Sequence, residues 1–369
     1  MAAHPTVGVE EEFLLVDPDS GAPIARSREV AQRADELGVD LQLELTSCQV
    51  ETATEVSSSM ADVREQLIRL RSTAARAAAD SGARLLAVAV PPTVPHEFPV
   101  TDSPRYHRIA DRFGMLAREQ GICGAHVHVA VPTREAAIRV SNRLRPWLPV
   151  LLALTANSAI YRNADSGYAS WRRMLWARWP SAGPPPHFDS VDEYDAMVRM
   201  LLQSGAMLDE GQVYWDVRPS ANFPTIEVRV ADVPATVADT VLFAALVRAT
   251  VMTVLDDERN GAGVPRISAH ALDAAYWRSA RDGLDGTAID LAESHAPVPA
   301  RDLLAGLVDR VSPALAAVGD LDLVREGLTR LDEDGNGAMR QRAAWQRRGE
   351  VADVVDAVAE ATLAGSGQR

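Results

Sequence analysis

The sequence predicts an α+β protein built on a mainly antiparallel sheet with helices packed against it. Three observations predict it. Apolar and polar residues alternate with period two at 6–16, 124–131 and 225–230, the signature of half-buried strands. Segments with helical spacing separate some of these runs, while other neighbouring strands have no helix between them. The polar faces of the three strands also carry the same kind of chemistry: Glu10 and Glu12 on the first, His126 and His128 on the second, Glu227 and Arg229 on the third. If these faces coincide on one sheet, acids, imidazoles and a guanidinium converge above an apolar floor, and the surface is expected to be a metal–nucleotide site.

In chain order, the first strand ends at the turn cluster Asp17-Pro18-Asp19-Ser20-Gly21. A second strand is expected over 41–52, carrying Glu44 and Glu51. Their odd separation puts them on opposite faces of a regular strand, so a bulge or a turn before Glu51 is needed to bring both to one site. Ser57-Ser58-Ser59 caps a helix through about Asp80, with Val63, Leu67 and Leu70 at helical spacing. A buried strand is expected over 84–90, then a proline-rich loop over 91–104 whose His96 is solvated. A helix over 104–119 leads into the His-Val-His strand. Thr133 caps another helix, interrupted at Pro146 and Pro149 and running to about Ser158. The polar loop Tyr161-Arg162-Asn163-Ala164-Asp165-Ser166-Gly167-Tyr168 follows, then Trp171, Trp176 and Trp179, expected in packing rather than base stacking. After a helix near 190–206 come Arg218-Pro219-Ser220 and the Glu-Val-Arg strand. A long apolar helix over 235–257 and a mostly helical remainder complete the chain, with Gly335-Asn336-Gly337 starting one of those helices.

Composition narrows the chemistry. At 369 residues the chain can bury a substantial core. A formal charge of −14 argues against a general nucleic-acid binder. No long uncharged apolar run and no basic-then-apolar leader are present, so a cytosolic protein without a membrane partner is expected. Cys48 and Cys123 are too few for a disulfide framework and read as buried thiols. There is no lysine: all 37 basic residues are arginine. That excludes a Walker lysine, a Schiff-base lysine and a carbamylated bridging lysine. Phosphate must be handled by arginine, backbone amides and metal ions.

Glu10, Glu12, Glu51 and Glu227 are hard oxygen donors, better suited to Mg²⁺ or Mn²⁺ than to zinc. Several carboxylates on one sheet face repel one another without cations. Arg229 beside Glu227 is placed to stabilise charge on a transferring phosphoryl group. The His126–His128 pair raises a rival, a zinc-dependent hydrolase, although no third histidine shows metal spacing.

Taken together, Gly8-Val9-Glu10-Glu11-Glu12-Phe13, Gln49-Val50-Glu51, Gly124-Ala125-His126-Val127-His128, Arg162 to Tyr168 with Ala169-Ser170-Trp171-Arg172, and Arg218-Pro219-Ser220 with Glu227-Val228-Arg229 occur in order. So do Trp277-Arg278-Ser279-Ala280-Arg281-Asp282-Gly283-Leu284 and Gly337-Ala338-Met339-Arg340-Gln341-Arg342. This set resembles the carboxylate–amine ligases of the glutamate–cysteine ligase type 2 group. The resemblance implies one catalytic domain over 6–365 with a glutamine-synthetase-like fold, its antiparallel sheet curved into a funnel with helices on the outer side. It implies ATP-dependent activation of a carboxylate as an acyl phosphate, then amide formation with an amine. By resemblance, Glu10, Glu12, Glu51, His126 and Glu227 are metal ligands around ATP, and Arg229 contacts phosphate. Glu44 lies near the amine site or a metal, and His128 supports the nucleotide site. Arg162 binds the carboxylate of a glutamate-like donor, with Tyr168 and Arg218 as further substrate contacts. Ala159-Ile160-Tyr161, Asn163 and Cys48 depart from the family pattern, which bears on the substrate more than on the fold. A kinase of guanidino type on the same fold and a non-catalytic nucleotide sensor are the other readings. Segments 161–187 and 91–104 are the expected lids, and a C2 homodimer is the expected assembly.

Overall fold

In a computed structural model describing residues 4–95 and 97–365, the strand that begins the chain becomes the centre of the sheet. The strands are β1 (Val7–Val16), β2 (Gln42–Leu43), β3 (Gln49–Ala53), β4 (Arg84–Leu86), β5 (Gly124–Ala130), β6 (Ile160–Tyr161), β7 (Ala164–Asp165), β8 (Val217–Pro219), β9 (Thr225–Asp232), β10 (Thr287–Ile289) and β11 (Pro297–Pro299). The main sheet has the order β2-β3-β1-β5-β9-β8, with β4 also paired to β1. Every pairing in it is antiparallel. β6 pairs with β7 and β10 with β11 as separate two-stranded ribbons.

The period of two decides what each face meets. Val7, Val9, Val127, Val129, Ile226 and Val228 belong to the large apolar core on one side of the sheet. The helices Met60–Asp80, Arg134–Leu144, Leu148–Thr155 and Val237–Arg259 cover that side and supply the rest of this core. Val237–Arg259 is long and apolar enough to cross a membrane, but 83% of its most apolar window is buried inside the fold. Thr236 and Asp239 close its first turn as a reciprocal capping box. It is a core helix.

Several expected elements are shorter than the sequence suggested. The strand expected over 41–52 breaks into β2 and β3, which pair as Gln42 with Glu51 and Leu43 with Val50. The turn between them brings Glu44 back beside Glu51, the geometry required for both acids to serve one site. Only Arg84–Leu86 of the 84–90 segment is strand, although residues 87–90 are fully buried. The helix over 104–119 is split at Gly114, whose φ of +57° a helix cannot continue through. Pro149 does not interrupt a helix but lies in the first turn of Leu148–Thr155, where its missing N–H costs nothing. Asn336 caps Gly337–Arg348, so the Gly-Asn-Gly segment is a helix start. Cys48 and Cys123 are buried free thiols, and burial raises the Cys48 thiol to about 11. His96, expected to be solvated, falls outside the described residues.

Candidate active site

The opposite face of the sheet forms the floor of a cleft of about 1050 Å³, at the upper end of ordinary ligand sites. Strand pairing sets its contents. Glu10 is opposite His126 and Glu12 opposite Glu51, while His128 stands opposite Glu227 and Arg218 opposite Glu227 on its other side. A register shift between β5 and β9 at Ala125/Val127 leaves one extra residue on β9. The bulge lets Val230 and Ala231 both enter the core while Arg229 stays in the cleft wall.

Three groups of metal-capable donors follow along this floor: Glu10, His128 and Glu227; Glu10, Glu51 and His126; and Glu12, Glu44 and Glu51. Within each group the donor atoms lie within 4.8 Å of one another. Glu10 and Glu51 each belong to two groups, so neighbouring groups share a carboxylate. Oxygen donors with one imidazole or none fit Mg²⁺ or Mn²⁺. No group contains both His126 and His128. The two-imidazole centre that a His-x-His zinc hydrolase needs is therefore not assembled among the described residues.

The electrostatics differ from end to end. Burial alone would raise the Glu10 carboxyl, but hydrogen bonds to His126 (3.0 Å) and His128 hold it well below the usual carboxylate range. Glu227 is likewise held low against its burial by Arg229 and Arg218. Arg218 grips it at 2.8 and 3.2 Å, and Arg229 Nη1 donates to it directly. At the other end, burial and the neighbouring Glu12 push Glu44 up to about 7. Burial together with Glu44, Glu10 and Glu12 pushes Glu51 well above its ordinary value. Burial and Arg229 lower His126, favouring the neutral imidazole that a metal ligand must be. The Glu12–Glu44–Glu51 end thus carries uncompensated acid, the condition that a bound cation relieves.

The cleft thus gathers Glu10, Glu12, Glu44, Glu51, His126, His128, Arg218, Glu227 and Arg229. His128 is placed more directly than sequence alone suggested, with Nδ1 3.0 Å from Thr225 Oγ1 and Nε2 3.4 Å from Glu10. Arg218, expected as a substrate contact, lines the cleft with its guanidinium on Glu227 at 2.8 and 3.2 Å and on the Val213 carbonyl at 2.7 Å. Arg162 and Tyr168 are not among the residues lining the cleft. Arg162 is exposed at the tip of the β6–β7 hairpin, where φ is +51° and Asn163 has +58°. Tyr168 packs on Trp171 and beneath Arg281. The helix expected to run to about Ser158 ends at Thr155, and the hairpin follows from Ile160.

Other lining residues had no role in the sequence reading: Arg105, Tyr106, Gln120, Arg172 and Tyr214. Arg105 is fixed bidentately on Asp209 at 2.8 and 2.9 Å. Arg172 stood within a recognised motif, but no periodicity could show that its short helix, Trp171–Trp176, hangs over β5. Trp176 packs tilted and Trp179 edge-on against Tyr214 in the cleft wall, with ring centroids 4.5 and 5.6 Å apart.

Comparison with known proteins agrees with this architecture. The model of glutamate-cysteine ligase family 2 matches residues 6–357. A protein of Mycobacterium sp. (strain KMS), provisionally named glutamate–cysteine ligase 2-2, is 90% identical over 364 residues, covering 99% of this chain and all of the relative. A namesake from Mycolicibacterium vanbaalenii is 67% identical, covering 98% and 99% of the two chains. Among solved structures, the glutamate–cysteine ligase of Francisella tularensis in complex with AMP superposes with a TM-score of 0.68 at 14% identity, covering 98% of this chain and 89% of that one. A bifunctional glutathione synthetase from Pasteurella multocida gives 0.71 at 14% identity, with all of this chain matching 53% of that longer one. The fold is therefore that of the glutamate–cysteine ligases, and the chain belongs to glutamate-cysteine ligase family 2.

Proposed function

We propose that the cleft joins a carboxylate to an amine using ATP, through an acyl phosphate, with a glutamate-like acid as donor and cysteine or another small amine as acceptor. The observation that carries this reading is the row of three donor groups linked by the shared carboxylates of Glu10 and Glu51. A linked row suits more than one divalent ion along a polyphosphate, in a chain with no lysine to take that part. The names of the close relatives support the same reaction class. Mg²⁺ or Mn²⁺ held there would neutralise phosphate charge.

The residues of the chain do the rest. Glu10, Glu12, Glu51, His126 and Glu227 would hold the ions, with His128 completing the group at Glu10 and Glu227. Arg229, kept charged against its burial by Glu227, faces the phosphoryl group as it transfers. Arg218 keeps Glu227 in place. Glu44, a member of the third group, takes a proton from the acceptor's ammonium; the freed amine lone pair then attacks the acyl phosphate, the C–N bond forming as the C–O bond to the leaving phosphate breaks. The wall of tryptophans limits water at that end.

A hydroxamate trap tests this. The protein is incubated with Mg-ATP, hydroxylamine and pools of carboxylic acids, and products are read by mass spectrometry alongside ADP. A hydroxamate from one acid with matching ADP is the expected result and names the donor. ADP without hydroxamate would point instead to a kinase, and neither product would remove the ligase reading.

A further inference from the structure

We infer that Gln341 is a positioning residue of the active site: it holds the cleft wall built on Trp171–Trp176, and that wall keeps water from the acyl phosphate. This rests on the ligase reading, which it deepens. Gln341 stands in the helix Gly337–Arg348 and does not itself line the cleft. It is 1% exposed, and every bond of its amide goes to residues 157–160, just past the helix Leu148–Thr155. Oε1 accepts from the Ala159 and Ile160 N–H groups at 3.0 and 3.1 Å. Nε2 donates to the carbonyl and to the side-chain oxygen of Asn157, both at 2.8 Å. The two segments approach so closely that a Cβ added at Gly337 would stand 2.0 Å from Asn157 Oδ1. One buried side chain thus does for this turn what a paired strand would do, satisfying polar groups that no sheet or helix reaches.

The cleft wall hangs from that turn. The Ser158 carbonyl accepts the Trp171 N–H at 3.2 Å, and its hydroxyl accepts the Arg172 N–H at 3.1 Å. Ser170 caps the same helix, its hydroxyl accepting the Arg173 N–H at 3.3 Å. Both hydroxyls donate to the fully buried carboxylate of Asp232 at the end of β9, at 2.6 and 2.8 Å. The three N–H groups that open the helix therefore end on Ser158 and Ser170, and its height over the sheet follows 157–160. From this helix Trp176 reaches the cleft and packs on Tyr214. Tyr106 belongs to the same aromatic cluster, and burial together with the charge of Glu44 raises its phenol. The wall thus stands at the end where Glu44 meets the amine. Water admitted there attacks the acyl carbon through its oxygen as the C–O bond to phosphate breaks. The acid is returned, a proton goes to solvent, and ATP is consumed without an amide.

The test reads ADP and hydroxamate together, and separately the hydrogen exchange of backbone amides in 169–176, on wild type, Gln341→Met, Gln341→Glu and Ser170→Ala. Gln341→Met keeps the length of the side chain and removes all four bonds. It is expected to raise ADP per hydroxamate about tenfold, the scale of one hydrogen bond in the competition between amine and water. Exchange in 169–176 should quicken about 10- to 100-fold. Gln341→Glu keeps the acceptor for Ala159 and Ile160, so both readouts should return part of the way. Ser170→Ala removes only the helix cap at the far end of the same path, and it should uncouple in the same sense even where Gln341→Met does not fold. Arg71→Met separates positioning from stability, because it breaks the buried ion pair with Glu11 on the other face of the sheet. That variant should give less active protein with ADP per hydroxamate unchanged. The inference is overturned if the folded Gln341 variants and Ser170→Ala keep the wild-type ratio, or if exchange in 169–176 does not change. A wild type that yields no hydroxamate removes the ligase reading, and exchange in 169–176 then decides by itself whether Gln341 holds the wall.

Discussion

The two faces of β1 carry acids one residue apart and treat them oppositely. On the helix side, Glu11 is wholly buried, and every hydrogen-bonding need around it is met. Arg71 donates to it at 2.9 and 2.6 Å and Thr240 at 2.6 Å, while the remaining Arg71 hydrogens reach the carbonyls of Pro234, Ala235 and Thr362. On the cleft side, Glu12 shares a group with Glu44 and Glu51, where acid faces acid and burial raises Glu44 and Glu51. A buried charge surrounded by its partners serves the fold. Buried charges left facing one another serve something that arrives later.

The largest effect expected from this contrast is on stability. Replacing Arg71 by Met strands Glu11 without its partner and should cost about 3–5 kcal/mol, read as a loss of denaturant midpoint or of soluble protein. The double replacement Glu11→Leu with Arg71→Met should recover most of it, because neither charge is left alone. Equal damage from the single and double variants would show that the pair does not act as a unit.

On the cleft side the damage should fall on chemistry. Arg229→Ala and Glu227→Gln are each expected to lower amide formation by about 10²–10³. If either variant turns over at near wild-type rate, the phosphoryl-transfer end has been placed wrongly.

These two outcomes also mark what the sequence could and could not disclose. Glu10, Glu12, His126, His128, Glu227 and Arg229 were readable because a period of two puts them on one face, and the sheet does pair those strands. In the run Glu10-Glu11-Glu12 the same period sends Glu11 to the face of Val7, Val9 and Phe13. What it meets there could not be read, since Arg71 lies 60 residues away on a helix. Glu44 was legible only as a condition, because a turn that reverses β2 onto β3 leaves no period to follow. Gln120 was invisible, and Arg172 was named only within a motif, for a different reason. Both line the cleft from segments without a strand's period, which only packing reveals.

The acid-rich end should also show itself in the pH dependence of stability. A carboxyl held above its ordinary value in the folded state contributes stability in full below about pH 4.5, and that contribution is lost as pH rises through the folded value. For Glu44 the loss runs from about 4.5 to about 7, and Glu51, also held above its ordinary value, acts in the same direction. Glu10 and Glu227, held low, act in the opposite sense only below that window. His126, held below 6.5, has no further effect above it. Between pH 6.5 and 8 the metal-free protein should therefore lose about one to two degrees of melting temperature as Glu44 completes its ionisation. Mg²⁺ or Mn²⁺ should return them, because cation binding favours the ionised carboxylates. A melting temperature that is flat over that range and indifferent to the ions would mean the acids do not meet as described.

The smallest effect expected is at Arg162, and it sharpens the contrast most. The family pattern assigns this residue to a substrate carboxylate. Here it is exposed on a hairpin, with its guanidinium over the Tyr161 ring at 5.5 Å rather than in the cleft wall. An exposed cation on a hairpin must first travel and be ordered to reach substrate, which costs binding free energy. Arg162→Ala should accordingly change the apparent KM for either substrate by no more than about twofold, the scale of an ordinary surface substitution. A rise of tenfold or more in KM with kcat unchanged would instead mean that the hairpin folds over the cleft when substrate binds. The segment following Ser158 would then be a lid over the cleft.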